Sequence, residues 1–177
     1  MMQAIFLDRD GVINKALIKS GSPFSPRKID DFEILPGVKK ALILFHDLGY
    51  LNIVATNQPD IARGLMNEMT LSGMHDLIRQ NLAVDDIFVC PHDDSDNCLC
   101  RKPKPGLIID AAAKWNIDPA NSYIIGDTWK DIHAGREAGC LTVLLERPYN
   151  EGLESDFSAK SLLDVADMIG KQKVEGN

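Results

Sequence analysis

The chain has 177 residues, of which 45% are hydrophobic and 25% charged. These are the proportions of an ordinary globular protein, and the length suits one domain, residues 1–177, with a full core. A formal net charge of −7 excludes sequence-independent nucleic-acid binding, which needs a basic face. No apolar run approaches transmembrane length, and "MMQAIFLDRDG" lacks the basic flank and unbroken core of a secretory leader. The expectation is a cytoplasmic monomer with neither membrane nor nucleic-acid partner.

Short β-rich runs alternate with longer helical ones. "MQAIFLD" (2–8) predicts a buried strand, and a polar loop rich in Gly, Ser and Pro follows over 14–31. "GVKKALILFHDLGY" has helical spacing, opening after Pro36 and stopping at Gly49. "LNIVATN" predicts a second strand, 70–82 a helix with Thr70 as N-cap, and "DIFVC" a third strand. "PGLIIDAAAKWNI" reads as a helix, "SYIIGD" as a fourth strand, "DIHAGREAG" as a helix ending near Gly139, and "CLTVLLE" as a fifth strand. Cys140 belongs to that last apolar run and reads as core. A final amphipathic helix is predicted over 158–171. Five βα units with short links imply an α/β fold, a Rossmann-like three-layer sandwich around a parallel sheet.

In such sheets ligands bind beyond the carboxyl ends of the strands. Here those ends carry "DRDG", "TNQ", a Cys/His/Arg/Lys segment and "GDTWKD". Any one Asp after a strand is explained by a turn or a cap. Four strand ends agreeing points to a shared pocket holding Asp8, Asp10, Thr56, Lys102, Asp127 and Asp131. Carboxylates offer hard oxygen ligands for magnesium, and a lysine with a threonine hydroxyl suits phosphate oxygens. Phosphoryl transfer fits this set. Hydride transfer does not, since no Gly-rich dinucleotide fingerprint follows the first strand, and no G-x-S-x-G elbow is present for a serine hydrolase.

"FLDRDGVIN", "TNQ", "CRKPKPG" and "IGDTWKDIHAG" resemble, in order, the four motifs of the haloacid-dehalogenase-type (HAD-like) phosphatases, over about residues 2 to 145. The resemblance is nearest to the small zinc-containing branch, whose members act on heptose 1,7-bisphosphate or on histidinol phosphate. It implies that Asp8 is the nucleophile and that Asp10 protonates the leaving oxygen, then activates water. It implies too that Thr56 binds phosphoryl oxygens, Lys102 neutralises charge, and magnesium is held by Asp8, the Asp10 carbonyl and Asp127. Asp131 is either an orienter of Lys102 or a helix-dipole partner.

Cys90, His92, Cys98 and Cys100 form a Cys-x-His-x5-Cys-x-Cys set. Three thiols and an imidazole match a closed, structural zinc site, against the alternative of a chance cluster of loop thiols; the family resemblance also implies zinc. Such a loop would brace Arg101 and Lys102, which follow its last ligand. No large cap domain fits between the motifs, so substrate contacts fall to 14–31, to "TNQPDIARG" with Asn57, Gln58 and Arg63, and to the zinc loop with Arg101. Arg63 reads either as a contact for a second phosphate or as a surface ion pair, and Arg101 either as a substrate contact or as a surface arginine. "IARG" and "LLERPYNE" look more like the heptose enzymes, whose product feeds lipopolysaccharide or glycoprotein heptose. Asp60, after Pro59, departs from that pattern by adding a carboxylate that would disfavour a second phosphate and suit an amine or a polyol. Three functions follow: a heptose 1,7-bisphosphate 7-phosphatase first, then a histidinol-phosphate phosphatase, then a catalytically weak phosphate-binding domain.

Overall fold

A computed structural model describes residues 1–175. Among them a six-stranded parallel sheet forms from β1 (Gln3–Leu7), β4 (Tyr50–Asn57), β5 (Asp86–Cys90), β6 (Tyr123–Gly126), β7 (Leu141–Leu145) and β8 (Phe157–Ala159). The spatial order is β5-β4-β1-β6-β7-β8. The chain therefore runs outward in one direction from β1, then returns and runs outward in the other. That reversal between β1 and β6 is the switch point at which open α/β sheets bind ligands.

Helices cover both faces. α1 (Val38–Asp47), α2 (Glu68–Asn81) and α5 (Leu162–Glu175) lie on one, α3 (Gly106–Trp115) and α4 (Trp129–Ala138) on the other. Strand alternation decides which side chains go where. In β1, Ile5 and Leu7 join the α1/α5 core with Leu42, Phe45 and Val165, while Ala4 and Phe6 join Ile108, Ala111 and Ala134 on the other face. Each fully buried Ile, Leu or Phe contributes roughly 1.5–3 kcal/mol. Asn52 is a buried polar residue within β4. Its buried amide donates to Leu42 O at 2.8 Å and Ala83 O at 2.7 Å, tying the strand to both neighbouring connections.

The structure differs from the sequence expectations in four places. Residues 14–31 are not all loop, because β2 (Leu17–Lys19) and β3 (Ser22–Phe24) pair as an antiparallel hairpin. The N-cap of α2 is Asn67 rather than Thr70: its side chain accepts from the Thr70 amide at 2.8 Å, so the helix starts earlier. The sheet has a sixth strand, β8, and α5 begins only after it, at Leu162. No helix among the described residues is long and apolar enough to cross a membrane.

Candidate active site

Register brings the motif residues level. Leu7 pairs with Val54 on one side and Ile125 on the other, so Asp8, Thr56 and Asp127 all leave the sheet at the same edge. The Asp8 amide continues the ladder onto Ile125 O at 3.0 Å. Lys102 arrives from the loop after β5. Its Nζ donates to Asp8 Oδ1 at 2.7 Å, Ala55 O at 2.7 Å and Asp131 Oδ1 at 2.6 Å. Asn57 fixes the lysine backbone from both sides, donating to Lys102 O at 2.9 Å and accepting from Lys102 N at 3.1 Å.

Asp131 has both oxygens occupied. Oδ1 takes Lys102, and Oδ2 takes the Thr128 amide at 3.0 Å and hydroxyl at 2.6 Å, closing a capping box on α4. Asp127 differs. Tyr149 donates to its Oδ2, whereas its buried Oδ1 has no hydrogen-bond partner among the described residues. Two glycines make room for these carboxylates: a Cβ at Gly11 would lie 1.9 Å from Asp127 Oδ2, and one at Gly126 would lie 2.1 Å from Asp131 Cβ.

Asp10 sits in a basket of donors. Arg9, fully buried, gives Nη2 to both its oxygens at 2.9 and 3.0 Å, and Asn14, Ser25 and Gln58 donate at 2.9, 2.8 and 2.8 Å. Arg9 is backed by the Phe32 ring at 5.7 Å and by His75 Nε2 at 3.3 Å. Gln58 also donates to Thr56 Oγ1 at 3.0 Å.

The electrostatics follow from burial. Desolvation pushes the Asp8 carboxyl up to about 7, with Asp131 and Asp10 adding to it and Lys102 opposing. Burial, with Asp8 and Asp131 nearby, pushes Asp127 up to about 8. For Asp10 burial acts upward too, but the Arg9 charge and the hydrogen bonds from Asn14 and Ser25 outweigh it and hold the carboxyl below its ordinary value. Burial would also discharge Lys102, yet Asp131 and Asp8 overcome it and keep the ammonium well above its ordinary value. Arg9 balances Asp10, whereas Asp8, Asp127 and Asp131 face one lysine. A divalent cation would supply the charge this cluster lacks. Ligand oxygens of Asp8, Asp127 and Asp131 all lie within 4.8 Å of one another; the orphaned Asp127 Oδ1 is the oxygen free to bind one.

A second cluster lies under the same loop. Cys90 Sγ is 3.6 Å from His92 Nδ1 and 3.6 Å from Cys98 Sγ, while Cys100 Sγ is 3.3 Å from His92 Nδ1 and 3.5 Å from Cys98 Sγ. A tetrahedron with metal–ligand bonds of 2.0–2.3 Å has edges of roughly 3.3–3.8 Å, so this four-atom set fits one metal ion. Arg101 is held in this loop by Asp94 at 2.7 Å and His92 O at 3.1 Å, and is 8% exposed.

The carboxylates open into a cavity of about 160 Å³ bordered by Asp8, Asp10, Asn57, Arg101, Lys102 and Asp127. All three loops expected to contact a substrate reach it, through Pro23, Phe24 and Ser25, through Asn57 and Pro59, and through Arg101. Gln58 is buried beneath it, between Asp10 and Thr56. Arg63 instead pairs with Asp93 at 2.5 Å and lies 3.6 Å from Asp60, the surface-pair alternative. Asp60 is not an open carboxylate for an amine: it is 5% exposed and bound to Arg27 at 2.6 Å. Sequence reasoning did not single out Arg9, Asn14, Ser25, Lys130, Tyr149 or Asn150. Arg9 and Asn14 stand inside "DRDGVIN" and Lys130 inside "GDTWKD", and all three were legible from those positions; Ser25, Tyr149 and Asn150 reach the site through tertiary contacts.

The HAD-hydrolase-like family model matches residues 99–154. The D-glycero-beta-D-manno-heptose-1,7-bisphosphate 7-phosphatase of Bordetella bronchiseptica is 38% identical over 153 residues, 82% of this chain and 81% of that protein. The D-glycero-alpha-D-manno-heptose-1,7-bisphosphate 7-phosphatase of Photorhabdus laumondii is also 38% identical, over 95% of this chain and 97% of that protein. The crystal structure of the D,D-heptose 1,7-bisphosphate phosphatase from B. bronchiseptica, complexed with magnesium and phosphate, superposes with a TM-score of 0.83 at 33% identity, covering 97% of this chain and 99% of that one. The chain belongs to the haloacid-dehalogenase-like phosphatases, in the family of the heptose 1,7-bisphosphate 7-phosphatases.

Proposed function

We propose that the chain hydrolyses the 7-phosphate of a D-glycero-D-manno-heptose 1,7-bisphosphate through an aspartyl-phosphate on Asp8. The observation that carries the chemistry is the convergence of Asp8, Asp10, Lys102 and Asp127 on one cavity at the switch point of the sheet. Lys102 holds Asp8 by Oδ1 and leaves the other oxygen to attack phosphorus. As that P–O bond forms, the bond to the sugar oxygen breaks, and Asp10 delivers a proton to the departing alkoxide. Water then attacks the same phosphorus, Asp10 takes its proton, and Asp8 is regenerated as inorganic phosphate leaves.

The donor basket keeps Asp10 ionised, the form the second step needs. An arriving phosphate dianion raises its proton affinity for the first. Thr56 donates to the phosphoryl group, and Lys102 neutralises charge on it and on Asp8. Asp131 orients Lys102. Asp8, the Asp10 carbonyl and Asp127 Oδ1 hold a magnesium ion, which when bound supplies charge neutralisation at the phosphoryl oxygens. Cys90, His92, Cys98 and Cys100 hold a structural zinc that fixes the loop carrying Arg101 and Lys102. Arg101, on the cavity wall with Lys130, faces the remote end of the substrate. The reading includes a single-domain monomer acting in the cytoplasm, where thiols stay reduced for metal.

The choice of heptose rests on relatives of both anomeric names, matching 82% and 95% of the chain, and on Asp60 being unavailable to an amine. The test is magnesium-dependent phosphate release from both heptose 1,7-bisphosphate anomers and from histidinol phosphate, with Asp8→Asn as control. A hundredfold preference for either heptose, about 2.7 kcal/mol in transition-state binding, is the expected result. Preference for histidinol phosphate would reject the substrate, and hydrolysis independent of Asp8 would reject the mechanism.

A further inference from the structure

The tetrapeptide Arg147–Asn150, "RPYN", lies outside the four motifs, yet three of its side chains grip the two turns that carry the carboxylates. Arg147 Nη2 donates to Gly11 O at 2.8 Å, in the turn that follows Asp8 and Asp10. Asn150 Nδ2 donates to Asp127 O at 2.8 Å and to Leu145 O at 2.9 Å, and its Oδ1 accepts from Arg147 N at 2.9 Å. Tyr149 reaches between them and donates its phenol to Asp127 Oδ2.

The consequence lies in the two oxygens of Asp127. Oδ2 is taken by the phenol, while Oδ1 is buried with no partner among the described residues. A free carboxylate rotates about its Cβ–Cγ bond and can offer both oxygens; one pinned by a phenol offers a single oxygen in a single direction. Outer contacts of this type orient metal ligands and tune their affinity. The contact also explains part of the demand for glycine at position 11, where a Cβ would come within 3.0 Å of Tyr149 Oη as well as striking Asp127.

We propose that Tyr149 is a positioning residue for the divalent-cation site, its phenol fixing Asp127 so that Oδ1 alone faces the ion, while Arg147 and Asn150 set the spacing of the turns bearing Asp8 and Asp127. This rests on the reading of Asp127 as a magnesium ligand. The test is a magnesium titration followed by thermal unfolding in the presence of inorganic phosphate, comparing the wild type with Tyr149→Phe, which keeps the ring and removes the donor. The magnesium midpoint of the variant is expected to rise roughly tenfold or more. Its unfolding temperature without magnesium should stay near that of the wild type, and its lost turnover should return as magnesium is raised. An unchanged or lowered midpoint overturns the proposal, as does a loss of turnover that magnesium does not restore. Asp127→Asn separates the two levels: if it still responds to magnesium as the wild type does, the ligand assignment itself fails.

Discussion

The ammonium of Lys102 lies 2.7 Å from Asp8 Oδ1, although 94 positions of sequence separate the two residues. Lys102 is 2% exposed and is the positive partner of both Asp8 and Asp131. Lys102→Met keeps the stem but strands both carboxylates. Breaking a buried pair from one side costs about 3–5 kcal/mol, and losing a charge donor at a developing phosphoryl charge costs about 10²–10³ in kcat. Urea unfolding in metal-free buffer and steady-state phosphate release should show both losses. Wild-type stability in the variant would mean that the lysine is not the counter-ion of this cluster.

Zinc removal should act on the same lysine from a distance. The Cys3His cluster closes the loop 90–100, and Arg101 and Lys102 follow directly. A cross-link over a loop of this size is worth about 3 kcal/mol, or about 6–12 °C in a chain of this length. Cys98→Ser should lower zinc content and unfolding temperature together, and kcat with them as Lys102 loses its fixed approach. Unchanged stability with the metal gone would leave the loop without a bracing role.

The strand-end motifs were legible in the sequence because each is local. An apolar run names its strand, and the polar residue that ends it names the pocket. Asp8, Thr56, Lys102 and Asp127 were singled out in this way, and so was the Cys/His set, whose spacing is itself the signal. What sequence could not supply was contact across the fold. Ser25 reaches Asp10 from a segment whose Gly, Ser and Pro content reads as loop, because a three-residue hairpin strand carries no periodicity. β8 escaped for the same reason: Phe157–Ala159 is three residues on the sheet edge, none of them fully buried. In α2, Thr70 and Asn67 are both competent caps, and the exposed Met69 between them hides where the amphipathic face begins. Tyr149 lies in "LLERPYNE", a segment similar to the heptose enzymes, but nothing local marks its phenol as a partner of Asp127.

The ion pairs around Asp60 join three loops. Arg27 of the hairpin segment binds Asp60 at 2.6 Å, Arg63 lies 3.6 Å from it, and Arg63 continues to Asp93 of the Cys/His loop. Both arginines remain partly exposed, at 37% and 38%, so each pair is worth no more than about 1 kcal/mol. Their effect should fall on substrate binding, since Ser25, Phe24 and Pro59 on these loops border the cavity. Asp60→Asn is expected to raise KM several-fold with kcat much less changed, the mark of lost uniform binding. A double-mutant cycle with Arg27→Gln should give a coupling of about 1 kcal/mol. Strictly additive energies would show that the loops are held by something else.

His75 contributes a stability term that is lost in mild acid. Arg9 can only donate, so a hydrogen bond from its Nη1 to His75 Nε2 at 3.3 Å requires that nitrogen to carry no proton. Burial first, then the charges of Arg9 and Arg79, pull the imidazole down to about 4, against weaker upward pulls from Asp10 and Asp76. The sign follows from proton counting. An unfolded His75 titrates near 6.5 and the folded one near 4, so between these values the unfolded chain binds the extra proton. Stability from this residue is complete above about pH 6.5 and is lost progressively as pH falls toward 4, by about 3 kcal/mol in all. The carboxyl held low at Asp10 adds its own loss, but only further down, below the ordinary carboxylate range. Between pH 6.5 and 5 the carboxyls of Asp8 and Asp127, held up at about 7 and about 8, take up protons in the folded chain and pull the other way, so the His75 share is read as a difference between wild type and variant. His75→Gln keeps an acceptor for Arg9 and removes the titration, so the wild type should lose roughly 1.5–2 kcal/mol relative to the variant as pH falls from 6.5 to 5. Equal slopes for the two proteins between pH 6.5 and 5 would mean that His75 does not stay neutral behind Arg9.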